Sequence, residues 1–93
     1  MLFVTLLKPR AGAPGTPKER IARRAQWQYP AGSRLVAEYW LLNNDPQIIS
    51  IVEADSIAPV MAALVEWGDV LEGTTVPAVT LEEGLQLAKQ MIR

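Results

Sequence analysis

The chain has 93 residues, 49% of them apolar and 20% charged, with a formal net charge of −1. That balance excludes a disordered chain and suits one compact domain spanning residues 1–93. Cysteine and histidine are both absent. Their absence removes disulfides, thiolate and imidazole metal sites, Ser-His-Asp and Cys-His catalysis, and haem ligation by either residue. Any chemistry falls to carboxylates, Lys, Tyr, Ser and Thr, and neither a metal nor a cofactor is expected.

In chain order, Leu2, Phe3, Val4, Leu6 and Leu7 predict a first strand. The segment reaches Lys8, Pro9 and Arg10 too soon for a secretory leader. A Pro/Gly-rich loop, Pro9 to Gly15, follows. Thr16, Pro17 and Glu19 then form a capping box that starts a helix carrying Ile21, Ala22 and Ala25 on a narrow apolar stripe. Pro30 and Gly32 end that unit. Residues 34–42 alternate as a second strand, and the turn Asn43-Asn44-Asp45-Pro46 returns the chain as a hairpin into Gln47–Glu53. Ser56 is placed to cap a helix from Ile57 to about Trp67, apolar almost all round, with Pro59 in its first turn. Its uncharged run, Ile57–Val65, is too short to span a bilayer. Val70–Val79 reads as a last strand, in which Pro77 favours a sheet edge. Thr80 and Glu83 cap a final helix bearing Leu81, Leu85, Ala88 and Ile92 on one face. A cytoplasmic protein is expected.

The order β-α-β-β-α-β is the ferredoxin-like split unit, an α+β fold, here with an added C-terminal helix. Its first and third strands are central. These are the two strands that carry apolar residues on both faces: Leu2 to Leu7, and Ile48, Ile49, Ile51 and Val52. Alternate residues of a strand point to opposite sides, so both sheet faces need cover. The chain's own helices can layer one face, and the other predicts a homodimer.

The ordered features resemble a domain-of-unknown-function family of about ninety residues in the dimeric α/β-barrel superfamily. They are the apolar first strand, a helix ending near Trp27, Tyr29-Pro30-Ala31-Gly32, a strand with Tyr39-Trp40, Val52-Glu53-Ala54-Asp55 before a helix, Trp67, and Pro77 late in the last strand. The resemblance implies two sheets packed together, with a cavity in each subunit. That superfamily holds cofactor-independent monooxygenases, isomerases, haem enzymes and plain binders, so the fold does not choose among them.

Glu53 closes an otherwise apolar central strand. Burial there would raise its pKa toward a general-base range, making it the candidate catalytic residue; the alternative is a structural partner for an arginine. Tyr39 and Trp40 point to opposite sides of their strand, so one of them can wall a cavity, unless both anchor core or interface. Trp67 is a candidate for the pocket rim, and Trp27 reads as packing. Glu53 and Asp55 could offer oxygen ligands to a cation, but Asp55 beside Ser56 fits a helix N-terminus better. The basic run Lys8, Arg10, Lys18, Arg20, Arg23, Arg24 and Arg34 lacks a phosphate-loop pattern, and Pro14 and Pro17 remove donors. It reads as a solvated face meeting acids of a partner subunit rather than as a nucleic-acid surface. The preferred expectation is a small homodimer binding an apolar or aromatic molecule on the sheet face. Cofactor-independent oxidation or proton transfer through Glu53 is the enzymatic form of that reading. The alternative is a non-catalytic structural or ligand-binding assembly module.

Overall fold

The computed structural model describes residues 1–92 of the chain. Seven elements follow in order: β1 (Leu2–Pro9), α1 (Pro17–Gln26), β2 (Ser33–Trp40), β3 (Ile48–Ala54), α2 (Ala58–Glu66), β4 (Leu71–Ala78) and α3 (Leu81–Met91). The four strands form one antiparallel sheet in the order β2-β3-β1-β4, which places β1 and β3 in the centre and β4, with Pro77, at an edge. This mixed α+β architecture is compatible with a ferredoxin-like fold.

The termini of the helices follow from local chemistry. Thr16 accepts from the Glu19 N–H at 3.2 Å and Thr80 from the Glu83 N–H at 3.1 Å, so both capping residues act as their spacing implies. The start of α2 differs from the sequence expectation. Ile57, not Ser56, occupies the N-cap, and the Ser56 hydroxyl accepts only a long 3.4 Å bond from the Ala58 N–H. A proline in the first turn already lacks a donor, which lowers the need for a side-chain cap.

One sheet face lies beneath α1 and α2. Phe3, Val52, Ala54 and Val60 form the buried core, with Tyr29 and Leu35 packed against it. Two buried hydroxyls share this face, Thr5 and Ser50, and Thr5 is hydrogen-bonded to Thr75 at 2.8 Å. The opposite face carries Leu2, Val4 and Leu6 of β1 beside Ile49, Ile51 and Glu53 of β3, with Ala37, Tyr39 and Val76 flanking them, as the strand registers show. The double-sided hydrophobicity of β1 and β3 is therefore real, and α1 and α2 answer only one side of it.

β2 contains an irregularity that alternation does not reveal. Leu35 pairs with Val52, but Ala37 pairs with Ile51, so Val36 is an extra residue on β2. Leu35 thus faces the helices, Ala37 and Tyr39 face away, and Glu38 and Trp40 return to the helix side.

The third helix buries none of its residues, and Leu81, Leu85, Met91 and Ile92 are all exposed. The molecule measures 53 × 29 × 17 Å with a radius of gyration of 15.2 Å. A compact chain of this length would give about 12 Å.

Candidate functional site

The space between the sheet and its two helices is not filled. A cavity of about 360 Å³ opens there, floored by β1, β2 and β3 and roofed by α1 and α2. Its walls are mostly apolar, and Trp27, Trp40 and Trp67, the chain's three tryptophans, all line it. Trp27 is the C-cap of α1 and Trp67 the C-cap of α2, so the ends of the two covering helices converge at one aromatic corner. There Trp27 meets Tyr29 edge-on with ring centroids 4.5 Å apart, and meets Trp67 at 5.8 Å. Arg23 lies 4.1 Å over the Trp67 ring. It also bonds both carboxylate oxygens of Asp69, at 3.1 and 3.0 Å, and the Glu66 carbonyl at 2.8 Å, tying α1 to the end of α2.

A polar cluster sits on this otherwise apolar wall, centred on Glu38. Its Oε1 accepts from Arg24 Nη2 at 3.2 Å, from the Tyr29 hydroxyl at 3.2 Å and from the Ser50 hydroxyl at 3.1 Å. Its Oε2 accepts from Arg24 Nε at 3.2 Å and from Trp40 Nε1 at 2.8 Å. One carboxylate thus gathers donors from α1, β2, β3 and the segment after α1. Burial pushes the Glu38 carboxyl upward, but the Trp40 and Arg24 hydrogen bonds, the Arg24 charge and the Ser50 hydroxyl outweigh it and hold it below the ordinary value. Tyr29 moves the other way: burial, reinforced by the neighbouring Glu38 charge, raises its phenol above the usual range. At neutral pH the cluster is a carboxylate, a guanidinium and a neutral phenol.

Of the four site residues named from sequence, the structure brings Trp40 and Trp67 to the cavity and leaves Tyr39 and Glu53 outside it. Tyr39 pairs with Ile49 on the sheet's other face and is well exposed. Glu53 lies on that same other face, opposite Leu2 and Arg34, and its Oε1 accepts from the N-terminal amine at 2.9 Å. Its side chain is 42% exposed and does not line the cavity. Trp27 is both a packing residue and part of the cavity wall. Among the described residues no group of three or more acidic side chains converges on a possible metal position, and Asp55 and Glu53 are no exception. Within the chain, two arginines of the basic helix have acidic partners: Asp69 pairs with Arg23, and Glu38 with Arg24.

Sequence reading missed Glu38, Arg24, Tyr29 and Ser50. The one available signal is Glu38 itself, a carboxylate inside an apolar strand next to two aromatics, but strict alternation puts it on the face opposite Leu35, which packs under the helices. The Val36 bulge reverses that parity.

These features define a small α+β domain with a mostly apolar cavity of about 360 Å³ and an internally neutralised polar cluster. The family model described as a domain of unknown function (DUF3303) matches residues 1–92, and the chain belongs to that family. No curated protein and no solved structure matches it. No helix among the described residues is long and apolar enough to cross a membrane.

Proposed function

We propose that this protein binds a small apolar or aromatic molecule in the chamber between its sheet and α1 and α2. The observation that carries the reading is the cavity of about 360 Å³ with three tryptophans on its wall. A partly open cleft of this volume, with its floor between the sheet and two helices, falls in the range of small-ligand sites. The ionised Glu38, with five donors already directed at it, serves to orient Arg24, Tyr29 and Trp40. It has no lone pair left over for proton abstraction, which favours binding over proton-transfer chemistry. Because every tryptophan faces the chamber, intrinsic fluorescence reports occupancy directly. Titration with naphthalene derivatives should quench or shift it, and Ala63→Phe, which fills the chamber from α2, should abolish the change while the far-ultraviolet circular dichroism stays the same. An unaltered spectrum in the unsubstituted protein at millimolar ligand would refute the proposal.

A second part of the reading is assembly as a homodimer through the uncovered sheet face, in the manner of a dimeric α/β barrel. Its support is an excess of surface. The chain of 10.2 kDa exposes 6646 Å², whereas a compact monomer of this mass exposes about 5300 Å². The difference exceeds the roughly 800 Å² per partner of a standard interface, and the exposed residues include Leu6, Tyr39 and Val76 of the open face and the apolar side of α3. Sedimentation velocity decides this part: a species near twice the chain mass is expected, and a monomer at micromolar concentration would overturn it.

A further inference from the structure

The chamber carries an unbalanced charge. Three ionised side chains line it: Arg20, Arg24 and Glu38. Arg24 and Glu38 neutralise one another through the two hydrogen bonds described above. Arg20 has no such partner, since none of the ion pairs among the described residues includes it. Its Nη2 donates to the carbonyls of Ala13 at 3.4 Å, Pro14 at 3.1 Å and Gly15 at 3.3 Å, which ties the guanidinium to the loop before α1, where it borders a second, smaller cavity that Glu19 and Asp69 also line. Its Nε is shut away from solvent and has no acceptor. Nη2 is thus used on the loop and Nε is closed to any ligand, so what an added anion would balance is the charge of Arg20 at the edge of a mostly apolar cavity.

The loop is built to hold this arrangement. Gly15 has φ +82°, and a Cβ there would stand 2.8 Å from Glu19 Oε2. The positive φ strains any residue with a side chain, so a substitution there would disturb the turn that presents the three carbonyls to Arg20.

We infer that the ligand of this chamber is an aromatic or apolar carboxylate, with its ring or chain among Trp27, Trp40, Leu64 and Trp67 and its acid group against Arg20. This rests on the chamber being a ligand site, as proposed above. The acid would complete the charge balance, and charge-assisted hydrogen bonds in a low-dielectric pocket discriminate strongly against a neutral group of the same shape. Glu38 does not oppose the acid's entry, because its own charge is spent on Arg24.

The test compares 2-naphthoate with 2-naphthamide, which share a ring system and differ in charge, by calorimetric titration of the full chain at pH 7. Naphthoate is expected to bind at least tenfold more tightly. Arg20→Gln is expected to erase that preference. Equal affinities in the unsubstituted protein would overturn the carboxylate inference and leave the chamber reading intact; binding of neither compound at millimolar concentration would remove both. A preference that survives Arg20→Gln would overturn the assignment to Arg20. Should that variant not fold, the comparison in the unsubstituted protein still decides the ligand's charge.

Discussion

Glu38 is the residue on which the chamber wall depends. Replacing it by Gln removes the charge that Arg24 faces while keeping the shape, and should cost about 2–3 kcal/mol at neutral pH, read from urea unfolding. The pH dependence has a definite sign. The folded Glu38 carboxyl lies below its ordinary 4.5, so its stabilisation is fully present above that value and is lost as pH falls through the lower, folded value. The stability gap between the unsubstituted protein and Glu38→Gln should therefore be widest near pH 7 and shrink below about pH 4.5; a gap that widened on acidification would contradict the assignment. Much at this scale was open to sequence reading where partners are near in the chain, as with Thr16 and Glu19 or Thr80 and Glu83. Glu38 and Arg24 are fourteen positions apart, on elements that meet only once the sheet and α1 have formed. Nothing local in either residue announces the pair.

The elements themselves followed from patterning: every strand and helix, the hairpin, and the edge position of β4. Which of Tyr39 and Trp40 faces the helices did not, because it turns on one unpaired residue. A bulge is a property of two strands in register, and β2 alone contains no mark of it. The consequence is checkable. Val36 is the residue in excess, so deleting it should restore regular pairing with every other side chain on its present face. The deletion variant should fold and keep its ligand response. Deleting Ser50 instead would shift the central strand β3 by one residue and turn Val52 and Ala54 outward, and that variant should fail to fold cooperatively in a thermal melt. On α3, which buries none of its residues, Thr80→Ala removes a cap worth about 1 kcal/mol, and its effect should register mainly as lost helical signal in far-ultraviolet circular dichroism.

At the scale of the molecule, the apolar character of β1 and β3 on both faces was the feature most plainly written in the sequence, and the structure leaves one of those faces open. Tyr39→Glu places a charge on the open face without touching the chamber, since Tyr39 is exposed and does not line it. It should convert the proposed dimer to monomer in sedimentation velocity while leaving the tryptophan response to ligand in place. Loss of both together would mean that the chamber is shaped by the partner. The sequence could not assign the charge of the chamber, because Arg20 belongs to a basic run that reads as solvated; only the folded loop separates it from Arg23 and Arg24, which have acids of their own.

The two borders of the sheet bear on what the protein does when concentrated. On one border, Val36 interrupts the even spacing of β2; on the other, Pro77 withholds a donor from β4. Neither offers an unbroken row of main-chain groups to which a foreign strand could add. The broad faces are unequal as well, one roofed by helices and one bare. In the proposed dimer, a sheet that is adhesive on a single side and blunted at its rims would be satisfied by one neighbour and present no repeating surface for growth, so crowding this chain should yield discrete particles rather than fibres.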